Sequence, residues 1–218
     1  MDKACIPHYM AELVLAGRGV MVVGGGRVAR RKIEGLLICG AVVTVVAPEL
    51  DGQVADWVKD GRVVHWPILF ATEVLEQETR PFLVFAATAS ASLNREIASE
   101  CARRAILCNS ADDPSSSGFL VPAMVRRGDV TVAVGTGGRS PALSRVLKER
   151  IDAWLEPGWG EVVAAFGDWR QRVTVRIPNG VQRQDFWREC AQEAVKQVGL
   201  AREDWDGWFR QQLRRLGG

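Results

Sequence analysis

The first part of the chain alternates short apolar runs with amphipathic segments. Residues 19–24 read GVMVVG, an uninterrupted apolar run typical of a strand that is buried on both faces of a parallel sheet. Residues 28–40, VARRKIEGLLICG, place apolar side chains at near-helical spacing and end in a glycine, which predicts a helix. Residues 41–50, AVVTVVAPEL, predict a second buried strand that ends at Pro48. Strand, glycine-rich turn, helix and strand within about 30 residues form a βαβ unit.

The same alternation continues to about residue 113. FLVFAAT (82–88) predicts a further strand, SASLNREIASECARRA (90–105) an amphipathic helix, and ILCNSADD (106–113) another short strand. This order predicts an α/β fold in which residues 1–113 form a Rossmann-type domain with a parallel sheet.

The ends of these strands predict where a ligand binds. Ligands of open α/β sheets collect at the carboxyl ends of the strands. We therefore expect Ala87, Thr88 and residues 109–113 to face the same crevice as the glycine turn after the first strand.

The pattern changes after residue 113. Residues 113–118, DPSSSG, are rich in turn formers, and residues 130–155 read as strand, glycine turn and helix, too short for another parallel repeat. We interpret residues 114–155 as a small α+β dimerisation module whose strand and helix pair with a second subunit. Residues 156–218 place tryptophans among charges at helical spacing, which predicts a C-terminal helical domain with a tryptophan-rich core.

The three glycines of the first turn have a mechanical explanation. Gly24 is expected to form the tight turn, and Gly26 to let the backbone approach a pyrophosphate at the helix N-terminus, with Gly25 between them. Ala29 occupies the third glycine position, where helix and strand pack closely. The alternative is a tight strand-to-helix turn without a ligand.

An acidic residue follows the second strand at about the distance expected of a ribose-binding carboxylate. Glu49 stands there, after Pro48. Its carboxylate would accept hydrogen bonds from a ribose and repel a 2′-phosphate, favouring NAD over NADP. A solvated loop charge explains Glu49 equally well.

Composition narrows the class of protein. The net charge of +2 is too small to argue for nucleic acid. No apolar run reaches the roughly 18 residues of a membrane span, and the N-terminus lacks a signal-peptide core. The cysteines are scattered, which predicts reduced thiols and a cytoplasmic protein. Together with the presence of only two histidines, this predicts that the protein has no metal site. The cysteines are Cys5, Cys39, Cys101, Cys108 and Cys190.

One segment carries a local excess of positive charge. Residues 119–150 hold six basic residues against two acidic ones, an excess of four. Such a cluster beside a crevice suits a substrate with several carboxylates, although a solvated helix face explains any single one of these side chains better. The basic residues are Arg126, Arg127, Arg139, Arg145, Lys148 and Arg150.

Five motifs together resemble one known family. GGGRVARRK, VTVVAPEL, FAAT, CNSADDP and GTGGRSPALSR, in this order and spacing, resemble the precorrin-2 dehydrogenases and the N-terminal part of the siroheme synthases. The resemblance covers roughly residues 5–155. It implies NAD-dependent oxidation of precorrin-2 to sirohydrochlorin, in some members also ferrous iron insertion, and a homodimer.

The resemblance also assigns residues. The acid of the family's N-x-x-D-[DA]-P motif corresponds to Asp112. The predicted cofactor contacts are Gly24, Gly25, Gly26, Arg27, Val28, Pro48, Glu49, Ala87 and Thr88. The predicted substrate contacts are Asn109, Thr136, Arg139 and Ser140, where Thr136 stands at a position that is serine in many relatives.

The chemistry fits a carboxylate independently of the resemblance. Dehydrogenation removes a hydride and a proton, so the enzyme has to position the substrate and supply a proton acceptor. Metal insertion releases two pyrrole protons, so one carboxylate could serve both steps. Asp-Asp-Pro is also ordinary turn chemistry, so a turn-forming Asp112 is the alternative. His8 and His65 lie at no predicted strand end.

Two other functions remain open from the sequence. One is a regulatory, NAD-sensing module that catalyses nothing, for which the basic segment has no use. The other is a dehydrogenase of a different anionic metabolite.

Overall fold

The predicted alternation of strands and helices forms a parallel sheet in the first half of the chain. The computed structural model describes residues 8–76 and 80–215, and within them the sheet has five strands in the order β3-β2-β1-β4-β5. The strands are β1 Gly19–Val23, β2 Val42–Val46, β3 Val63–Trp66, β4 Leu83–Ala86 and β5 Leu107–Ser110. The intervening helices are α1 Arg27–Ile38, α2 Gly52–Lys59 and α3 Ala91–Arg103, with 3-10 helices at Thr72–Leu75 and Pro114–Ser116.

The apolar runs are continuous because the strands are covered on both faces. Along β1, Val20 and Val22 join the cluster under α1, whereas Met21 and Val23 join the cluster under α3. A strand that is buried on both faces has no exposed positions for polar residues, which explains why all residues of the sequence GVMVV are apolar or glycine. The predicted Rossmann-type sheet is therefore confirmed.

One strand of this sheet has no clear signal in the sequence. β3 pairs with β2 through Val63–Trp66 and lies at the edge of the sheet. Only Val63 of its four residues is buried, so its sequence VVHW lacks the uninterrupted apolar run of the central strands. Edge position and partial exposure explain why it was missed.

The second half of the chain combines a hairpin with helices. By compactness the chain divides into two units, the first ending at Val121 and the second beginning at Pro122. The limits 1–113, 114–155 and 156–218 expected from the sequence stay a prediction. In the second unit β6 Ala123–Arg127 pairs antiparallel with β7 Val130–Val134. The helices are α4 Pro141–Trp154, α5 Trp159–Arg176, α6 Gly180–Ala194 and α7 Arg202–Arg215, with a 3-10 helix at Val195–Gln197.

The strand expected to pair with another subunit, β7, has a partner in its own chain, while its pairing with a second subunit stays a prediction. It pairs with β6 of the same chain, from Val130 against Arg127 to Val134 against Ala123. The sequence gives β6 a weak signal because Pro122 precedes it and two arginines end it. Among the described residues, no helix has both the length and the apolar character to cross a membrane.

An aromatic cluster forms the core of helices α5 to α7, as the tryptophan spacing predicts. Phe209 is fully buried at its centre. Its ring lies 4.9–6.4 Å, centroid to centroid, from those of Phe166, Trp169, Trp187, Trp205 and Trp208. Aromatic pairs at such distances stabilise beyond their buried area.

We expect Phe209→Ala to lower the free energy of unfolding of this unit by about 3–5 kcal/mol, because it leaves a cavity and removes these ring contacts. Guanidinium unfolding followed by tryptophan fluorescence measures the change. The matched control is Val175→Ala on α5, whose side chain is 74% exposed and whose loss should cost less than about 0.5 kcal/mol. If the two variants unfold at the same guanidinium concentration, the assignment of Phe209 to the core of this unit is wrong.

Candidate active site

Gly24 brings the end of β1 against the end of β4. It has φ +113°, and a Cβ built on it would overlap the carbonyl oxygen of Ala87 and lie 2.9 Å from the backbone nitrogen of Thr88. The Ala87 N–H donates to Val23 O at 2.8 Å, continuing the strand ladder to this point. Only glycine satisfies both the conformation and the space at this position.

Gly25 makes the corresponding contact with the end of β2. A Cβ there would overlap the carbonyl oxygen of Glu49 and lie 3.0 Å from Leu50 Cδ2. The Asp51 N–H donates to Gly25 O at 2.7 Å. The loop after β2 is thus fixed to the glycine turn through its backbone.

Gly26 differs from the other two glycines. Its backbone is extended (φ −83°, ψ −170°), and a Cβ built on it would meet no atom within 4 Å. It is the N-cap of α1 but supplies no side-chain cap, and the next residues, Arg27 and Val28, are exposed. The first N–H groups of a helix lack intrahelical partners and attract anions. The open space beside Gly26 therefore fits the pyrophosphate of a dinucleotide.

The loop that follows β2 contains a carboxylate that sequence analysis missed. Asp51 accepts from the Gln53 N–H at 3.1 Å as the N-cap of α2, and it pairs with Arg30 of α1 at 3.4 Å. Aspartate directly before a helix was the available signal. Pro48 and Glu49 are exposed, and the contact with Gly25 is made by the backbone carbonyl of Glu49.

Asp112 lies two residues after the end of β5, beside the end of β4. The Ala111 N–H donates to Ala86 O at 2.9 Å, which extends the parallel ladder to the residue before Asp112. Asn94 Nδ2 at 3.1 Å and Ser110 Oγ at 2.9 Å both donate to Asp112 Oδ1. No described residue donates to Oδ2, and Asp112 is exposed. The carboxylate thus has one fixed oxygen and one available oxygen.

The turn-forming role belongs to the neighbouring aspartate. Asp113 Oδ1 accepts from Ser115 Oγ at 2.6 Å and from the Ser115 N–H at 2.9 Å, and so caps the 3-10 helix Pro114–Ser116. The Ser115 hydroxyl, followed by its backbone N–H, lowers the pKa of Asp113 from its ordinary value. The helix-capping role considered for Asp112 is thus filled by Asp113, and the catalytic role of Asp112 stays a prediction.

Asn109 is buried next to the aromatic pair Phe85 and Phe119. Its Nδ2 donates to Phe119 O at 3.0 Å, which ties the loop after Asp112 to β5. Its Oδ1 is buried without a hydrogen-bond partner among the described residues. The substrate contact assigned to Asn109 stays a prediction.

Thr136 and Ser140 together shape the turn before α4 in the second unit. The Ser140 N–H donates to Thr136 Oγ1 at 3.3 Å, and Ser140 Oγ accepts from the Leu143 N–H at 3.2 Å as the helix N-cap. Arg139 is exposed. The hydroxyls have structural roles, and substrate contact by these three residues stays a prediction.

One member of the basic segment is bound within the protein. Arg127 forms an ion pair with Asp152 at 2.9 Å and donates to Leu155 O at 3.0 Å. Arg126, Arg139, Arg145 and Arg150 are exposed, and Lys148 is half-buried.

The remaining titratable groups offer few candidate ligands for a metal. His65 is half-buried on β3, with Nε2 2.9 Å from Ala47 O. Among the residues that the structure describes, no three His, Cys, Asp or Glu side chains are grouped as metal ligands. Cys101, Cys108 and Cys190 are buried free thiols, Cys39 is half-buried, and Cys5 lies outside the described residues.

The comparisons with known proteins agree with this geometry. Residues 12–123 match a family model described as "Putative NAD(P)-binding" and residues 158–213 one described as "Sirohaem synthase dimerisation region". The parallel sheet, glycine turn and first match define an NAD(P)-binding protein of the Rossmann class. The prediction of NAD as cofactor is confirmed at the level of NAD(P) binding.

Individual related sequences and one solved structure define the family more narrowly than NAD(P) binding does. The siroheme synthase of Photorhabdus laumondii is 38% identical over 176 residues (81% of this chain, 37% of the relative), and that of Methylobacillus flagellatus is 36% identical over 199 residues (91% and 41%). A structure titled "SirC, precorrin-2 dehydrogenase" superposes with a TM-score of 0.72 at 25% identity, covering 95% of this chain and all of that one. The chain belongs to the family of precorrin-2 dehydrogenases and siroheme synthase N-terminal regions.

The siroheme synthases are much longer than this chain, so a match to them does not by itself assign their whole activity to it. The chain spans about two fifths of the length of the two siroheme synthases. The matched dimerisation region lies within the predicted helical domain, C-terminal to residues 114–155, in which the sequence analysis placed the dimerisation module.

We expect Gly26→Val to weaken NAD binding at least tenfold, about 1.4 kcal/mol, because the side chain would enter the space that fits the pyrophosphate. The fold should persist, since no protein atom lies within 4 Å of the added Cβ. Calorimetric titration of NAD measures the affinity.

Gly35→Val on the same helix is the matched control, because its Cβ is equally free of contacts. It should bind NAD like the unmodified protein. Unchanged NAD affinity in a folded Gly26→Val protein would contradict the assignment of the cofactor turn.

Proposed function

We propose that the protein oxidises precorrin-2 to sirohydrochlorin, with NAD⁺ as the hydride acceptor. The observation that carries this proposal is the carboxylate of Asp112, held through Oδ1 at the end of β5 with Oδ2 available. The likeness to the precorrin-2 dehydrogenase structure over 95% of the chain supports the substrate.

The chain's own residues supply positioning and a proton acceptor. Bound NAD⁺ would provide the hydride acceptor. The glycine turn and the exposed first turn of α1 bind its pyrophosphate, and the Glu49 carboxylate accepts from its ribose, which favours NAD over NADP. Ala87 and Thr88, in contact with Gly24, form the adjacent wall of the cofactor site. Asp112 Oδ2 takes the proton that leaves the substrate together with the hydride.

The exposed arginines suit the substrate class. A tetrapyrrole with several carboxylates needs cations around its rim, and arginine binds carboxylates in a bidentate manner. Arg126, Arg139, Arg145 and Arg150 are exposed, so their guanidinium groups are accessible to such a substrate. Arg127 is bound to Asp152 and is not assigned to the substrate.

Iron insertion is the weaker of the two activities in this proposal. Ferrous iron would be a substrate here, and the two pyrrole protons displaced by it would have Asp112 as their acceptor. The chain has only two histidines, and one ring nitrogen of His65 is within hydrogen-bonding distance of Ala47 O. We therefore expect dehydrogenation to be the main function and chelation to be slow or absent. A cytoplasmic location stays a prediction.

We expect Asp112→Asn to lower the rate of dehydrogenation by about 10²- to 10⁴-fold, the usual contribution of a general base. The amide keeps the shape of the side chain but accepts no proton, so NAD affinity should remain unchanged. The measurement follows the sirohydrochlorin spectrum and NADH after precorrin-2 and NAD⁺ are added to purified protein.

Asp113→Asn is the matched control, because this aspartate only caps the 3-10 helix, and it should retain activity. Full activity of Asp112→Asn would contradict the assignment of the base. If the unmodified protein binds NAD but leaves precorrin-2 unchanged, the proposed function is wrong, and a regulatory module or another anionic substrate takes its place.

The proposed enzyme is a homodimer. Helix α4 carries an apolar stripe at spacings of three, four and seven residues, in which Leu143, Val146, Leu147 and Trp154 are 50, 48, 37 and 70% exposed. Such a stripe on a helix usually packs against another element. A second copy of the chain would cover it, and the matched dimerisation region, residues 158–213, follows α4 in the same unit.

We expect sedimentation to give a dimer at micromolar concentration and Val146→Asp to give a monomer, because a buried, unpaired charge at an interface is costly. Val175→Asp places the same charge on a more exposed site of α5 (74% against 48% for Val146), inside the matched dimerisation region. It should leave the dimer intact. A monomeric wild-type protein, or dissociation by Val175→Asp alone, would contradict the interface on α4.

A further inference from the structure

Asn94 is a polar residue in the interior of the first unit. It lies in the first turn of α3, and its side chain is only 1% exposed. Burying an amide without hydrogen bonds is unfavourable, so the partners of Asn94 define what it does.

Those partners are Thr88 and Asp112. Asn94 Oδ1 accepts from the Thr88 N–H at 3.0 Å and from Thr88 Oγ1 at 2.8 Å. Asn94 Nδ2 donates to Thr88 O at 3.2 Å and to Asp112 Oδ1 at 3.1 Å. Two donated and two accepted bonds use the full hydrogen-bonding capacity of the amide.

The orientation of the amide follows from Thr88. A backbone N–H only donates, so the atom facing it has to be the amide oxygen. The amide nitrogen then faces Asp112, and Asp112 Oδ1 has to accept. An ionised carboxylate satisfies this requirement with either oxygen.

A second hydrogen-bond donor adds to the difference between the two oxygens of the Asp112 carboxylate. Ser110 Oγ also donates to Asp112 Oδ1, at 2.9 Å, and Ser110 is buried. Two donors on Oδ1 stabilise negative charge there and leave Oδ2 as the oxygen open to a proton.

We propose that Asn94 is a positioning residue, which holds Asp112 so that Oδ2 meets the substrate while the same amide fixes Thr88 on the cofactor side. This assignment rests on the proposed function. A purely structural role, closing the loop between β4 and α3, would need only the three bonds to Thr88. The fourth bond reaches a residue 18 positions away and acts on the proposed base.

The test is a double-mutant cycle that combines Asn94→Asp with Asp112→Asn. Asn94→Asp keeps both acceptor bonds to Thr88 and loses both donated bonds, to Thr88 O and to Asp112 Oδ1, so the NAD affinity of this variant reports separately on the cofactor side. We expect kcat to fall about 10- to 100-fold in the wild-type background, because a misplaced base loses its alignment. In the Asp112→Asn background the same substitution should change kcat less than about twofold, since no base is left to position.

Asn94→Leu provides a second, uncharged variant with the same expected pattern, in case the added carboxylate disturbs the fold. The stability control is Ser90→Ala, which removes the N-cap of the same helix but leaves Asp112 untouched. It should lower the melting temperature and leave kcat unchanged. NAD affinity is measured for each variant.

The outcomes separate this assignment from the proposed function. If Asn94→Asp lowers kcat by the same factor in the wild-type and Asp112→Asn backgrounds, Asn94 has a structural role and its positioning role is wrong. An equal loss of kcat in Ser90→Ala would lead to the same conclusion. Both outcomes leave the proposed function standing. Failure of the wild-type protein to oxidise precorrin-2 would overturn the function and this assignment together.

Discussion

The close approach of the glycine turn to two neighbouring strand ends is the constraint on which the candidate site depends. Gly24 leaves no room for a side-chain atom against Ala87, and Gly25 leaves none against Glu49. These contacts bring together the ends of β1, β2 and β4. Thr88 follows Ala87 directly, so the same contacts determine where Asn94 and, through it, Asp112 are held.

The sheet could be predicted from the sequence wherever burial is complete. β1 and β4 have no position that must be polar on either face, so their apolar runs are unambiguous. β3 and β6 could not be predicted in the same way, since only one residue of each is buried and their sequences, VVHW and AMVRR, end in polar or bulky residues. A four- or five-residue segment with mixed exposure resembles a loop until its partner is known.

The candidate site could be predicted only in part, for a related reason. The spacing of the glycines predicts a cofactor turn, but only the fold distinguishes Gly24 and Gly25, which contact protein, from Gly26, which faces open space. Asn94 carries no signal at all, because a polar residue in the first turn of a helix usually faces solvent. Its partners meet it only because β5 pairs with β4, with Ser110 beside Ala86.

The two adjacent aspartates show how the fold divides roles between like residues. Asp113 has its carboxylate in a cap, whose hydrogen bonds lower its pKa and favour the charged form. Asp112 is fixed differently, since the residue before it continues the sheet ladder and one carboxylate oxygen is held by a buried amide and a buried hydroxyl. The ordering of this carboxylate is therefore achieved during folding rather than during ligand binding. In the proposed function, the flexible macrocycle is aligned against a fixed oxygen of Asp112, so the conformational freedom lost on binding is mainly that of the substrate.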